Sequence, residues 1–175
     1  KIKKDIKAIT RNKKRINSLS FKLIPKIMGI LNVTPDSFSD GGKYNKDDLA
    51  KKHLDYLFKS GADIVDIGGE STRPGSKIVS QKNELRRVQK IIKNFKKRFP
   101  KTFLSIDTRK SLVMDYSIKN NADIINDVSC FKFDPKSFNS IKNKNIWKII
   151  HHMQGTPQTM QINPKYNHIL LDIYD

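Results

Sequence analysis

Cysteine is nearly missing from this sequence. Cys130 stands alone, so no intramolecular disulfide framework can staple the chain, and a reducing compartment fits. A lone thiol of this kind reads as a small core residue. No run of 18 apolar residues occurs, which argues against a membrane-spanning helix. No G-x-G-x-x-G turn follows the first apolar strand, which lowers a dinucleotide-binding reading. Acids are scarce: 17 Asp and Glu face 35 Lys and Arg, for a net charge of +18. Residues 1–26 carry ten of those cations and one acid, while the other 149 residues carry 25 and 16. No aromatic platform interleaves with the basic residues, as a single-strand nucleic-acid binder requires. The excess therefore reads as solvated surface, and no nucleic-acid partner is expected. The leader lacks the continuous apolar core of a secretory signal. An organelle transit peptide stays open, but the expectation is a basic extension (residues 1–25) of a cytoplasmic protein with no membrane partner.

At 175 residues and 37% hydrophobic, there is material for one core, or for most of a larger one. Apolar runs alternate with helical patterns. KIMGILNV (26–33), ADIVDIGG (62–69), TFLSID (102–107), ADIINDVS (122–129) and NIWKIIHHM (145–153) read as strands. Between the first two, Ala50, Leu54, Leu57 and Phe58 make a helical stripe. Asn45 can cap that helix, Asp47 and Asp48 sit in its first turn, and Gly61 stops it. Ser80 opens a long helix with Leu85, Val88, Ile92, Phe95 and Phe99 on one face and Pro100 at its end. Residues 109–120 carry a shorter helix. Asp134-Pro135 reads as a cap and first-turn proline that start a weak helix to about Asn143. A last helix begins near Tyr166.

Ala62-Asp63-Ile64-Val65-Asp66 recurs as Ala122-Asp123-Ile124-Ile125-Asn126, so two β/α units repeat in register. Strands alternating with helices imply parallel pairing and right-handed crossovers. The architectures left open are a doubly wound sheet and a (β/α)₈ barrel, and in both, function collects at the carboxyl ends of strands. Here those ends are Asn32, Asp66, Asp107, Asn126 and His151-His152. A buried amide or carboxylate destabilises a core strand unless something satisfies it. Capping of the following helix could account for Asp107 and Asp127, but not for all five ends together. A shared ligand site at one rim accounts for them better. In the second loop, GGESTRPGS (68–76), Arg73 beside Ser71 and Thr72 suits a carboxylate or phosphate ligand, or else a local salt bridge. Adjacent strand residues point to opposite faces, so His151 and His152 do not read as a metal pair.

GILNVTPDSFSDGG (29–42), DIGGESTRPG (66–75), SIDTRK (105–110), ADIINDVS (122–129) and HMQGTPQTMQ (152–161) together resemble dihydropteroate synthase, in that family's order and spacing. The resemblance implies an α/β fold, a (β/α)₈ TIM barrel, of which residues 26–175 hold about the first five β/α units. It implies a transferase of folate synthesis, the target of sulfonamides. In that reaction 4-aminobenzoate displaces diphosphate from 6-hydroxymethyl-7,8-dihydropterin diphosphate, with Mg²⁺ beside the diphosphate. By resemblance, Asn32, Thr72, Asp107 and Asn126 hold the pterin diphosphate, and Asn32 lies at the metal. Phe38, Ser71, Arg73 and Pro74 line the 4-aminobenzoate pocket, and Asp40 and Arg73 are the catalytic candidates. The family's later segments, which supply a lysine and further cationic groups, are not in the sequence. The chain therefore reads as the N-terminal portion of a full-length homodimeric enzyme, inactive by itself. The alternatives are a truncated, non-catalytic pterin-binding remnant and a methyltetrahydrofolate-type methyltransferase domain, which the first-loop motif argues against.

Overall fold

The computed structural model describes residue 19 and residues 25–34, 46–71, 73, 76–156 and 159–174. Within them five short strands alternate with helices: β1 (Met28–Asn32), α1 (Lys46–Lys59), β2 (Ile64–Gly68), α2 (Gln81–Arg98), β3 (Phe103–Asp107), α3 (Ser111–Lys119), β4 (Ile124–Asp127), α4 (Ser137–Ile141), β5 (Trp147–Ile150) and α5 (Ile169–Tyr174). All four strand pairings are parallel and the order is β1-β2-β3-β4-β5. A doubly wound sheet reverses its order at a switch point. This one never does, which is the winding of a barrel. Among the described residues no helix is long and apolar enough to cross a membrane.

Register sorts the side chains into two faces, because alternate residues of a strand point to opposite sides. Leu31, Ile67, Ile106 and Ile125 pair in one line. All four are essentially inaccessible, and with Val88, Ile92, Phe95 and Met114 they build the core between sheet and helices. The opposite face holds a smaller cluster of Ile64 and Ile124, packed against Met28, Phe103, Trp147 and Ile149. Leu19, from the basic leader, is buried in this second cluster. One apolar side chain of that segment therefore closes the floor of the inner face. At the two outermost strands of the described sheet, Ile30 on β1 and Ile150 on β5 stay 59% and 57% exposed.

The long helix follows its pattern. Ser80 caps α2 by accepting from the Asn83 amide (3.3 Å), and Val88, Ile92, Phe95 and Phe99 are buried. The repeat has a physical meaning too. Asp63 accepts from the Ile27 amide (3.0 Å) and Lys26 Nζ (2.8 Å), and Asp123 accepts from the Leu104 amide (2.8 Å) and Lys96 Nζ (2.5 Å). Each repeated aspartate thus ties the start of its strand to the preceding one.

Two expectations shift. The strands are shorter than their apolar runs, since the flanking residues serve turns. The helix expected from Asp134 starts later, at Ser137, with Lys136 before it. Asp134 has other work: Oδ2 accepts from the Ser111 amide (2.8 Å) and Oδ1 from the Lys136 amide (2.9 Å). It therefore caps α3, whose own preceding residue, Lys110, makes no side-chain cap. Burial alone would raise the Asp134 carboxyl, but the Ser111 side chain and amide, with the Lys136 amide, hold it below its usual range.

Candidate active site

The inner face carries a single polar row at its carboxyl rim. Asn32, Gly68, Asp107 and Asn126 lie in register on four successive strands, and Ile149 of β5 continues the line. Residues in register on parallel strands project to the same side, so three polar side chains converge over a glycine. A Cβ on Gly68 would lie 3.4 Å from both Asn32 Oδ1 and Asp107 Oδ2. The missing side chain leaves a gap flanked by an amide oxygen and a carboxyl.

One layer deeper lie Asp66 and Ser105, in register with each other. Asn126 Nδ2 reaches across β3 and donates to Asp66 Oδ2 (3.0 Å). The last residues of the two repeated segments therefore meet. His151, just beyond β5, places Nε2 2.8 Å from Asn126 Oδ1. His152 turns away to the Tyr166 hydroxyl (3.1 Å), as alternation requires. Asp66 Oδ1 and Ser105 Oγ are buried without a hydrogen-bond partner among the described residues. Buried polar atoms are nearly always paired, so this floor has unused capacity for a donor. On the far side of His151 a cavity of about 790 Å³ opens, lined by Ser129, Cys130, Phe133, His151, His152 and Met153 among others but by none of Asn32, Gly68, Asp107 and Asn126. That is within the usual range for small-molecule sites.

Electrostatics single out Asp107. Burial, reinforced by the charges of Asp66, Glu84, Asp127 and Glu70, pushes its carboxyl up to about 7. Burial raises Asp66 as well, opposed by Asn126 and the His151 ring. An acid cluster at one rim is costly when empty. A ligand that donates hydrogen bonds or carries positive character relieves it.

Among the described residues Asp107 makes no hydrogen bond to the start of α3, whose cap comes from Asp134, so capping does not explain it. Asp127 is different: its carboxylate accepts from Ser129 N and Oγ (both 2.7 Å) and from the Phe131 amide (3.2 Å). Those bonds close a loop in which Cys130 and Phe131 both take positive φ, 53° and 61°. Capping of a loop, rather than a ligand, accounts for Asp127.

The residues that the sequence reading passed over are Glu70, Glu84, Thr108, Arg109 and Lys110, all buried. Glu70 pairs with Arg109 Nε (2.9 Å) and Lys110 Nζ (3.0 Å); Lys110 also pairs with Glu84, which accepts from Thr108 Oγ1. The Arg109 guanidinium lies 3.8 Å from the Phe133 ring centroid. Glu70 further accepts from the Val79 amide (2.8 Å), and Arg87 donates to the Gly69 carbonyl (2.7 Å). Burial alone would raise Glu70, but Arg109, the Val79 amide and Lys110 outweigh it and hold it low. Burial wins at Glu84, raising it despite Lys110 and Thr108. The network bolts the base of the second loop to the third loop and to α2, directly behind Asp107. Within SIDTRK, then, Asp107 faces the site and the next three residues form its frame.

Among the second-loop candidates, Ser71 is half-buried and Arg73 is exposed. Their turn is closed by Ser76, whose Oγ donates to the Ser71 carbonyl (2.5 Å) and whose amide donates to the Arg73 carbonyl (3.1 Å). Among the described residues no hydrogen bond or ion pair brings the Arg73 side chain to the row. Phe38, Asp40, Thr72 and Pro74 lie outside the described residues. No group of three or more His, Cys, Asp or Glu among the described residues could hold a metal ion. What the row offers a hard cation is the Asn32 amide oxygen near the Asp107 carboxyl. That fits Mg²⁺, which usually keeps waters and substrate oxygens as most of its ligands.

Residues 28–174 match the model of the pterin binding enzyme family. The chain belongs to that family. It is 43% identical over 149 residues to the dihydropteroate synthase of Escherichia coli K12, covering 85% of this chain and 52% of that protein. The crystal structure of Yersinia pestis dihydropteroate synthase with a sulfonamide drug complex superposes with a TM-score of 0.80 at 40% identity, covering 92% of this chain and 58% of that one. Xanthomonas albilineans dihydropteroate synthase with 4-aminobenzoic acid gives 0.73 at 37% identity, covering 86% and 52%. The pterin binding fold is thus a (β/α)₈ barrel of which five consecutive β/α units are present among the described residues. The chain spans about half the length of the curated relatives it matches.

Proposed function

We propose that this chain supplies the β1 to β5 part of a dihydropteroate synthase, a transferase of folate synthesis acting in the cytoplasm on small molecules. The observation that carries the reading is the in-register row of Asn32, Gly68, Asp107 and Asn126. A flat pterin presents donors and acceptors along its edge. Asp107 would accept from ring N–H groups, Asn126 would offer both a donor and an acceptor, and the gap at Gly68 would admit the ring edge. Asn32 and Thr72 would lie toward the diphosphate. Mg²⁺ would be held by Asn32 Oδ1 together with diphosphate oxygens and water, and would neutralise charge on the leaving group.

The chemistry is a substitution at the pterin methylene. The bond from methylene carbon to diphosphate oxygen breaks and its electron pair leaves with diphosphate. The amine of 4-aminobenzoate forms the new C–N bond and then loses a proton. Positive charge develops on the methylene as the leaving group departs, and the first-loop Asp40 would stabilise it. Ser71, Arg73, Pro74 and Phe38 would hold 4-aminobenzoate, Arg73 through its carboxylate. Sulfonamides, found in the Yersinia pestis structure, would compete for that pocket.

The test is diphosphate release from the pterin substrate by a protein of the relatives' length that carries this chain. Release that depends on 4-aminobenzoate and falls far more than pterin affinity in Asp40→Asn supports the reading. Absence of release, with methyl transfer from a methylated pterin instead, would refute it.

A further inference from the structure

The Asn126 amide sits between two partners that no reading of the reaction requires. Below it, Asp66 Oδ2 is 3.0 Å from Asn126 Nδ2; beside it, His151 Nε2 is 2.8 Å from Asn126 Oδ1. We infer that Asp66 and His151 are positioning residues that lock the Asn126 amide in one orientation for the ligand, an inference that rests on the pterin reading of this site.

An amide can turn over by exchanging its oxygen and nitrogen, and either face then meets a ligand with opposite preference. A carboxylate only accepts, so Asp66 draws the amide nitrogen down and forces the oxygen toward β5. The oxygen in turn requires a donor, so Nε2 of His151 carries a proton. Each group keeps one valence for a ligand: the second Nδ2 proton and the second lone pair of Oδ1. Asp66 is buried and His151 exposed, so the chain runs from the floor of the site to its rim. Without His151 the oxygen would bond only to water, and the energetic preference between the two amide orientations would shrink.

Two measurements on the unsubstituted protein and two variants decide it. Nitrogen-15 histidine spectra, taken without ligand, should show His151 as the Nε2–H tautomer, and an Nδ1–H tautomer would overturn the inference. Equilibrium binding of 6-hydroxymethylpterin should weaken roughly three- to tenfold in His151→Leu, the loss of one hydrogen bond. It should recover to within about twofold of the unsubstituted protein in His151→Gln, because the glutamine amide can place a donor where Nε2 lies. Equal losses in both variants, or none in His151→Leu, would overturn it. If the unsubstituted protein binds no pterin, the reading of the site falls, while the ligand-free tautomer still decides whether the Asp66, Asn126 and His151 chain exists.

Discussion

Gly68 and Gly69 are neighbours in one motif, yet alanine should do opposite things at the two positions. On Gly68 a Cβ would meet Asn32 Oδ1 and Asp107 Oδ2 at 3.4 Å each, ordinary contact distances that the strand can accept. Alanine also costs less backbone entropy than glycine within a strand, by roughly 0.5–1 kcal/mol. Gly68→Ala should therefore fold at least as stably as the unsubstituted protein, with Tm within about 2 °C or slightly higher. Its methyl would fill the gap that the proposed function assigns to the pterin edge, so on that reading affinity should fall tenfold or more. On Gly69 a Cβ would lie 2.9 Å from Glu84 Cγ, 3.0 Å from Val88 Cγ1 and 3.1 Å from the Glu84 carbonyl oxygen. The last is helix backbone and cannot rotate away. α2 would have to shift, drawing Glu84 from Lys110 and Thr108. Overpacking of this kind costs about 1–3 kcal/mol, and each kcal/mol moves Tm by roughly 2–4 °C in a domain of this size. Thermal unfolding by circular dichroism and pterin binding by fluorescence titration read the two effects separately. The reasoning fails if Gly68→Ala unfolds several degrees early, if it binds pterin unimpaired, or if Gly69→Ala leaves Tm unchanged.

Lys110→Met leaves Glu70 and Glu84 buried without their shared cation and should destabilise by about 3–5 kcal/mol in denaturant unfolding. Asp134→Ala should cost about 1 kcal/mol by uncapping α3. Because the folded carboxyl of Asp134 is held low, its contribution is present above the ordinary value of 3.8 and is lost as pH falls through the depressed value. Asp107 runs the other way. Raised to about 7, it contributes stability present in full below 3.8 and lost as pH rises through about 7. Unliganded Asp107→Asn should accordingly have the flatter Tm profile between about pH 4 and pH 7, and an equally steep profile would show that Asp107 is not the group that titrates.

Much of the architecture was legible because it is carried by local pattern. Alternating apolar runs and amphipathic stripes gave the β/α alternation, and the repeated Ala-Asp segments marked Asp66 and Asn126 as counterparts, although the register sets Asp66 mid-way along β2, a layer below the rim, and gives the strand end to Gly68. Polar strand ends pointed to the rim that the register assembles. What was not legible depends on contacts between distant residues. Glu70 meets Arg109 across 39 positions and Lys110 meets Glu84 across 26, and nothing in local composition distinguishes such buried ions from solvated ones. Asp134 shows the same limit. Asp-Pro is a sound local signal for a helix start, but the carboxylate was recruited by Ser111, 23 residues earlier. The positive φ of Cys130 and Phe131 arises from bonds to Asp127 and leaves no glycine to mark it.

Pterin affinity measured against pH tests most directly whether Asp107 receives the pterin as an ionised acceptor. With a free-protein value of about 7, affinity should rise about tenfold per unit up to that pH and then level off. Asp107→Asn should bind weakly with no such rise. An affinity indifferent to pH from about 5.5 to 7.5, or an Asp107→Asn protein that binds as well as the original, would contradict it.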